Sequence, residues 1–340
     1  MPKSVHPALI ARVKILANLK IDEHRVPQDG RFKFNLDEEF IALRVSILPG
    51  FYGENVVMRL LFESARPLSL EELGFSGKNL EFVIDQIKQP HGMVLVTGPT
   101  GCGKTTTLYS ILNMLNNVGV KICTIEDPVE YDLRRLTQVQ VNPKTGVTFA
   151  SGLRSLLRHD PDIMMVGEIR DRETAEIAVH SALTGHLVLS TLHTNDASGA
   201  IPRFIDMGIE PFLLTSTINM IIAQRLVRRI CSNCISDYKP NEKITAFFKK
   251  EFGTEIEKQR FYQGKGCEEC DKTGYRGRIG IYEVIVVNEQ IRQLALAKAS
   301  AEKIRETAIR SGMKSMIEDG LDKIASGLTS ISEVLRVAKE

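Results

Sequence analysis

The chain has 340 residues, of which 43% are hydrophobic and 25% charged, so it can bury large cores and form two or three domains. Its 44 basic and 42 acidic residues leave a net charge of +2 with no block of like charges, which argues against a nucleic-acid-binding surface. No apolar run approaches the ~20 residues of a membrane-spanning helix, and no signal-peptide core opens the chain. We therefore expect a cytoplasmic protein without a transmembrane segment.

Residues 1–76 are expected to form a small N-terminal α/β domain and a linker. Hydrophobic residues alternate strictly in Phe40–Leu48 and again in Asn55–Leu61, as they do in half-buried strands. Arg44 and Arg59 fall on the opposite face of these strands. They are either two exposed strand arginines or a guanidinium pair that reaches a nucleotide held by an adjacent subunit or domain.

Residues 77–230 are expected to form a nucleotide-binding core. Within them, Gly98–Thr105 satisfies the spacing G-x-x-x-x-G-K-[ST] of a phosphate-binding loop. The loop follows an apolar run of strand length, Met93–Thr97, and precedes hydrophobic residues at helical spacing. Spacing and context disfavour the alternative, a glycine-rich turn that only begins a helix. The sequence therefore predicts a nucleoside-triphosphate site.

Each residue type in this loop has a physical role. Gly98, Gly101 and Gly103 let successive backbone N–H groups turn toward an anion, and the helix that begins near Lys104 adds its positive dipole end. Lys104 places a cation on the β- and γ-phosphates, and the Thr105 hydroxyl is a ligand for Mg²⁺. The predicted ATP-binding residues are Gly98, Pro99, Thr100, Gly101, Cys102, Gly103, Lys104, Thr105 and Thr106.

Such a site also needs a carboxylate near the reacting phosphate, and Glu168 follows an apolar strand. Gly167 separates it from the apolar positions, so this is an atypical form of the second nucleotide-binding motif. Because open α/β sheets bind ligands at the carboxyl ends of their strands, we expect Glu168 to activate the attacking water and to contribute to the outer shell of the metal. The alternative is a solvated carboxylate at a strand end.

Further polar residues follow or bracket predicted strands. Glu126 and Glu130 flank Pro128 in an acidic turn, which is either a plain turn or a neighbour of the phosphate loop. His186 and His193 lie at the two ends of one apolar strand and on opposite faces, so a shared metal is not expected. From the residues alone, hydrogen-bonded histidines are favoured over a phosphate sensor at His193.

Residues 231–287 contain two C-x-x-C pairs, which we expect to form a metal-binding subdomain. The pairs are Cys231 with Cys234 and Cys267 with Cys270. Four thiolates suit a tetrahedral structural Zn²⁺ site, although the separation of the pairs exceeds the commonest zinc spacing. Two disulfides or an iron–sulfur cluster are the alternatives, and a reducing compartment disfavours the disulfides.

Taken together, these segments resemble the type II secretion and type IV pilus-assembly ATPases. The matching motifs are Gly98–Thr105, Thr124–Tyr131, Leu157–Asp171, Thr184–Asn195, the paired cysteines and Gly274–Glu283. The resemblance extends from about residue 11 to near the end of the chain, and agreement of so many separate motifs makes it specific. It implies an α/β fold with a RecA-like P-loop NTPase domain, a small N-terminal α/β domain, a four-cysteine zinc subdomain and, over residues 288–340, a helical C-terminal subdomain.

The resemblance also implies catalytic roles for Glu168, Glu126, Glu130, His193, Arg44 and Arg59. Glu168 would be the atypical Walker B glutamate. Glu126 and Glu130 would assist Mg²⁺ and water. His186 and His193 would form the histidine box, with His193 the phosphate sensor. The two arginines match those that such enzymes offer to the nucleotide from the N-terminal domain.

At the level of the machine, the resemblance implies homo-hexameric rings that hold ATP and Mg²⁺ between the two domains. Hydrolysis would drive an inner-membrane platform protein that adds pilin or pseudopilin subunits, so the protein would be cytoplasmic and peripheral at the inner membrane through its partners. Assembly ATPases generally carry a further N-terminal docking domain, and this chain begins after it. Retraction ATPases generally lack the four cysteines, so the sequence favours assembly or secretion.

Two functions from other classes are disfavoured. A nucleic-acid translocase would be expected to carry a basic stripe, and the net charge is close to zero. A nucleotide-gated scaffold without turnover would not need the complete set Lys104, Thr105 and Glu168.

Overall fold

The structure is a computed structural model that describes residues 4–36, 39–62, 67–130, 132–240 and 260–338. The chain divides into two units, Met1–Arg66 and Pro67–Glu340. Of the segments singled out from the sequence, Tyr131 and the stretch 241–259 between the cysteine pairs lie outside the described residues. Within the described ranges, no helix combines the length and the hydrophobicity that crossing a membrane requires.

The first unit is a helix packed on a three-stranded antiparallel sheet with strand order β1-β2-β3. Its elements are α1 (His6–Leu16), β1 (Gln28–Leu36), β2 (Glu39–Gly50) and β3 (Gly53–Phe62). The alternation in β2 places Val45 and Ile47 on the face that packs against Ile10 and Val13 of α1. The two strands predicted from alternation are present, each slightly longer than the pattern indicated.

The second unit contains alternating helices and strands, followed by a hairpin, a long edge strand and four helices. Its elements are α2 (Leu70–Leu73), α3 (Gly77–Ile87), β4 (Gly92–Thr97), α4 (Lys104–Leu115), β5 (Ile122–Glu126), β6 (Leu136–Gln140), α5 (Phe149–Leu157), β7 (Ile163–Val166), α6 (Arg172–Leu183), β8 (Leu187–Leu192), α7 (Ala200–Asp206), α8 (Pro211–Thr217), β9 (Ile218–Ile230), β10 (Ile235–Tyr238), β11 (Phe261–Gly264), β12 (Tyr275–Val286), α9 (Glu289–Leu296), α10 (Ala301–Arg310), α11 (Met316–Ala325) and α12 (Ile331–Ala338).

One seven-stranded sheet organises this unit, with strand order β12-β9-β4-β8-β7-β5-β6. All neighbouring pairs from β9 to β6 are parallel, and β12 joins β9 in antiparallel register at one edge. The strands β10 and β11 form a separate antiparallel pair. The carboxyl ends of β4, β5, β7 and β8 therefore meet at one edge of the sheet, which is where open α/β sheets bind ligands.

Helices cover both faces of the sheet, which explains why its central strands are continuous hydrophobic runs rather than alternating ones. Leu108 of α4 and Val83 of α3 pack in the core on one face. Val179 of α6 and Leu153 of α5 pack in the core on the other face. Every residue of β4, β7 and β8 is buried as a result.

The last two helices, α11 and α12, pack against the end of the sheet that β12 and β9 form. Leu321 and Ile324 of α11 and Val334 of α12 share a third core with Val227 and Ile281 of the two strands. The expected fold class is confirmed: an α/β protein with a mostly parallel central sheet, a four-cysteine cluster and a helical C-terminal region.

Candidate functional site

The predicted phosphate loop connects β4 to α4, and its glycines have backbone conformations that other residues rarely adopt. Gly98 has a φ of +140° and Gly103 a φ of +90°. A side chain at Gly98 would place its Cβ atom 2.5 Å from the carbonyl oxygen of Gln224, and one at Gly103 would lie 2.9 Å from Gln224 Nε2. Glycine is therefore required at both ends of the loop, by conformation and by the close approach of β9.

Lys104 begins α4 and folds back over the loop. Its Nζ atom donates hydrogen bonds to the carbonyl oxygens of Gly98 at 2.8 Å and of Pro99 at 3.1 Å. Burial lowers the pKa of this amine, and the nearby Glu168 carboxylate partly opposes that shift. Thr105 and Thr106 follow in the first helical turn and are half-buried. A cation, a helix N-terminus and a curled backbone thus converge on one point, as phosphate binding requires.

Gln224 of β9 forms hydrogen bonds with the phosphate loop and with the helix that follows it. This residue was not predicted from the sequence. Its Nε2 atom donates to the carbonyl oxygen of Cys102 at 2.8 Å, and its Oε1 atom accepts from Thr107 Oγ1 at 2.7 Å. The side chain is 1% exposed. The sequence contained one signal for it, because Gln224 and Arg225 are adjacent polar residues between the apolar runs 220–223 and 226–227, where polar groups need partners.

The structure brings Glu168 and His193 together, because they follow the adjacent parallel strands β7 and β8. His193 Nε2 lies 3.0 Å from Glu168 Oε2, and Arg170 Nη2 lies 2.5 Å from Glu168 Oε1. The Glu168 side chain is 13% exposed, whereas His193 and Arg170 are largely exposed. Both carboxylate oxygens of Glu168 therefore have a partner at the edge of the sheet. The contact with Arg170 was not predicted from the sequence.

Glu126 lies inside the domain. Its carboxylate accepts hydrogen bonds from Thr124 Oγ1 at 2.6 Å, from Gln138 Nε2 at 3.2 Å and from the Tyr109 hydroxyl. Burial raises the pKa of Glu126, although these donors favour the ionised form. Glu130 is half-buried in the following turn, where its backbone N–H donates to the Tyr109 hydroxyl at 3.3 Å. Tyr109 therefore connects the two acidic residues.

The structure places His186 away from the other predicted site residues. It precedes β8, so the length of that strand, about 20 Å at ~3.3 Å per residue, separates it from His193. Its Nδ1 atom lies 2.9 Å from the carbonyl oxygen of Ser181. This is the hydrogen-bonded arrangement that the residues alone favoured.

In the first unit, Arg44 and Arg59 lie directly opposite each other on β2 and β3. Arg31 of β1 pairs with Arg44 from the other side, so the three arginines form a row across one face of the sheet. All three side chains are exposed. Like charges directly opposite each other on a sheet are destabilising, so such a row is typical of a surface that meets an anion.

The four cysteines form one cluster, with their Sγ atoms within 4.8 Å of one another. Three of the distances are 3.8 Å for Cys231–Cys267, 3.8 Å for Cys234–Cys270 and 3.6 Å for Cys267–Cys270. A regular tetrahedron with Zn–S bonds of about 2.3 Å has S–S edges of about 3.8 Å. A hydrogen bond from the backbone N–H of Cys267 lowers the pKa of Cys270 to about 6, whereas desolvation raises the pKa values of Cys234 and Cys267 in the cluster of thiol groups alone. The donor set and its spacing fit a tetrahedral metal ion.

The family model described as "Type II/IV secretion system protein" matches residues 2–336. The type II secretion system protein E of Aeromonas hydrophila is 49% identical over 333 residues, which cover 98% of this chain and 66% of that protein. The type IV pilus assembly ATPase PilB of Myxococcus xanthus is 48% identical over 338 residues, which cover 98% of this chain and 59% of that protein. The chain thus spans about two thirds of the length of these relatives or less.

Solved structures share the fold. The pilus retraction motor PilT with bound ADP superposes with a TM-score of 0.71 at 26% identity, covering 100% of this chain and 85% of that one. The ATPase DotB of Legionella pneumophila superposes with a TM-score of 0.66 at 22% identity, covering 93% of this chain and 78% of that one.

Proposed function

Since the chain belongs to the type II/IV secretion system protein family, we propose that it hydrolyses ATP as the motor of a machine that assembles type IV pili or a type II secretion apparatus. The observation that carries the proposal is that Gly98–Thr105 shares the carboxyl edge of the sheet with the Glu168–His193 pair. A phosphate cradle and a candidate base are thus parts of one site. Relatives named as ATPases of type II secretion and of pilus assembly support the same activity.

In the proposed reaction, the loop N–H groups and Lys104 bind the phosphates of ATP. The Thr105 hydroxyl in the first turn of α4 would hold Mg²⁺, which neutralises phosphate charge when bound. Glu168 accepts a proton from the attacking water, and His193 orients this carboxylate through the contact at 3.0 Å. Each oxygen of Glu168 keeps a second lone pair for the water, since a carboxylate offers about four acceptor positions.

Glu126 and Glu130 are proposed to assist Mg²⁺ and water. The geometry supports Glu130 more directly, because it lies half-buried in a turn at the ligand-binding edge. Glu126 already accepts three hydrogen bonds from the protein. We infer that it acts by positioning Tyr109 and, through it, the turn that carries Glu130.

The proposed machine is a cytosolic homo-hexamer in which Arg44 and Arg59 of one subunit complete the nucleotide site of its neighbour. The exposed row of like charges supports this role, since an incoming phosphate would offset the repulsion between the arginines. Turnover would move the two units of each subunit and act on a membrane platform protein that adds pilin or pseudopilin subunits.

Zn²⁺ is the proposed occupant of the four-cysteine cluster, where it would hold the β10–β11 hairpin to the start of β12. Thiolate donors at tetrahedral spacing support a closed structural site. Metal analysis of reduced protein should find one Zn²⁺ per chain. Absence of zinc, or an absorption spectrum typical of an iron–sulfur cluster, would contradict this assignment.

The central test is Glu168→Gln, which removes the base and keeps the size of the side chain. We expect steady-state phosphate release to fall by at least ~100-fold, the lower end of a general base's contribution, while the Kd for ATP changes little. Glu173→Gln is the matched control, because Glu173 is an exposed carboxylate nearby in α6. Near-normal turnover in Glu168→Gln would remove Glu168 from the mechanism. Absence of turnover by the unaltered oligomer would instead favour a nucleotide-gated scaffold.

A further inference from the structure

Arg225 is a buried cation beside the phosphate loop, and the mechanism above does not use it. Its side chain is 6% exposed. Its Nη1 atom is buried and has no hydrogen-bond partner in the part of the chain that the structure describes. Burying a guanidinium group without a hydrogen-bond partner is costly.

The position of Arg225 relates it to the loop. A Cβ atom built on Gly98 would lie 3.4 Å from Arg225 Nη1, which places the guanidinium against the first residue of the phosphate loop. Arg225 is also close enough to Lys104 that, after burial, its positive charge further lowers the pKa of that amine. Two buried cations therefore converge on one loop, and the described residues provide no carboxylate that ion-pairs with Arg225.

Because side chains alternate between the two faces along β9, Arg225 lies on the opposite side of the sheet from Gln224. Gln224 points to the α4 side of the sheet, where it bonds Thr107. Ile221 and Ala223 pack in the core on the opposite face, and Arg225 continues their side of the strand. A purely structural arginine would be expected to bond the loop carbonyls, as Lys104 does, or to extend its charged end into water. The buried Nη1 atom does neither.

We propose that Arg225 binds phosphate oxygens of the nucleotide, as a second buried cation beside Gly98 and Lys104. The inference rests on the proposed ATP site and adds a residue to it. Guanidinium and phosphate form short, charge-assisted and often bidentate hydrogen bonds, which would satisfy the orphaned Nη1 atom and offset the repulsion from Lys104.

The test compares Arg225→Gln and Arg225→Lys with the control Arg229→Gln, which changes an exposed arginine on the same strand. ATP binding with Mg²⁺ is measured by titration, and the thermal midpoint is measured with and without ATP. We expect the Kd of Arg225→Gln to rise by about 10- to 100-fold, the range for a lost hydrogen bond to a charged group. Arg225→Lys should keep part of the affinity, and Arg229→Gln should match the unaltered chain.

The thermal midpoint measured without ATP distinguishes a phosphate-binding role of Arg225 from a structural role. If Arg225 is a phosphate ligand, Arg225→Gln should leave this midpoint unchanged or raise it, because a buried repulsion is removed, and should lose only the gain that ATP produces. A Kd within twofold of the unaltered chain, or a lower midpoint without ATP, would overturn the inference. Failure of the unaltered chain to bind ATP would contradict the proposed function itself, and the two results are therefore distinguishable.

Discussion

Two glutamates at the carboxyl ends of strands in the same sheet have opposite environments. Glu126 ends β5, is 2% exposed and accepts three hydrogen bonds from the protein. Glu168 lies beyond β7 after a glycine, with one oxygen near an exposed histidine and the other near an exposed arginine. Because Gly167 is inserted after β7, the carboxylate of Glu168 lies beyond the end of that strand. In the proposed mechanism, environment rather than residue type separates the positioning role of Glu126 from the reactive role of Glu168.

At the residue scale, Glu126→Ala should destabilise the second unit by about 2–4 kcal/mol, because it leaves the three donors from Tyr109, Thr124 and Gln138 unsatisfied in the interior. Glu126→Gln keeps an acceptor and should cost less than half as much. Chemical denaturation of both variants measures the difference.

Hydrolysis by the same two variants tests the positioning role. We expect Glu126→Gln to keep most of the unaltered turnover, since the structure gives its carboxylate protein partners rather than a surface position. A stable Glu126→Gln protein that has lost turnover as completely as Glu168→Gln would show instead that Glu126 contacts metal or water.

Local motifs were predictable from the sequence, whereas contacts between distant residues were not. The loop at Gly98–Thr105 was found because its conformation and chemistry reside in consecutive residues. The positions of Glu168 and His193 at strand ends followed from the sequence pattern, whereas their contact with each other was not predicted. Gln224 and Arg225 were missed because the phosphate loop beside which they lie is more than a hundred residues earlier in the chain, and only the pairing of β9 with β4 brings them to it.

At the scale of elements, α12 is attached to the sheet by a buried carboxylate. Glu333 accepts hydrogen bonds from Arg228 Nη2 and from the Arg228 backbone N–H, both at 2.8 Å, and from Arg336 Nη2 at 3.0 Å. Burial alone would raise the pKa of Glu333, but the bonds from Arg336 and Arg228 outweigh it and lower the pKa to about 2.

This pKa predicts how stability depends on pH. A carboxyl group whose folded pKa lies below its unfolded value of ~4.3 stabilises the fold above that value, and the contribution is lost as the pH falls toward 2. We expect Glu333→Gln to lower the free energy of unfolding by about 2 kcal/mol at pH 7, after allowing for the exposure of the arginines, and by about half as much at pH 3. Urea denaturation at both pH values measures this.

Glu302→Gln is the control for that experiment, because Glu302 is an exposed carboxylate in the first turn of α10. It should change the free energy of unfolding by no more than a few tenths of a kcal/mol at either pH. A Glu333→Gln effect of equal size at pH 7 and pH 3 would contradict the assigned pKa.

At the scale of the whole molecule, the residues proposed for one reaction lie on two separate units. The phosphate loop and Glu168 belong to Pro67–Glu340, whereas Arg44 and Arg59 belong to Met1–Arg66. If the arginines act on the nucleotide of a neighbouring subunit, Arg44→Ala and Glu168→Gln should each be inactive alone and should partly restore each other in mixed oligomers. In such rings, some sites combine an intact Glu168 with an intact Arg44.

Phosphate release by the mixture, titrated against the ratio of the two variants, measures this complementation. Ser46→Ala is the matched control, because Ser46 lies on the same exposed face of β2 and carries no charge. It should leave turnover unchanged. Mixtures no more active than either variant would place the arginine in the site of its own chain, and normal turnover by Arg44→Ala in a confirmed oligomer would remove it from the site.

Because β9 is one continuous strand, inserting or deleting a residue in it would move the groups at one of its ends relative to the other. The strand carries Gln224 and Arg225 beside the phosphate loop and ends at Ile230, next to Cys231 of the four-cysteine cluster. Deleting one residue between them would either draw the cysteine ~3.3 Å out of its tetrahedron or turn Gln224 and Arg225 to each other's side of the sheet. Insertions and deletions along this stretch are therefore tolerated less well than substitutions that keep Val227 apolar and keep the bond between Arg228 and Glu333. Related chains should differ in the residues between Arg225 and Cys231 while keeping their number the same.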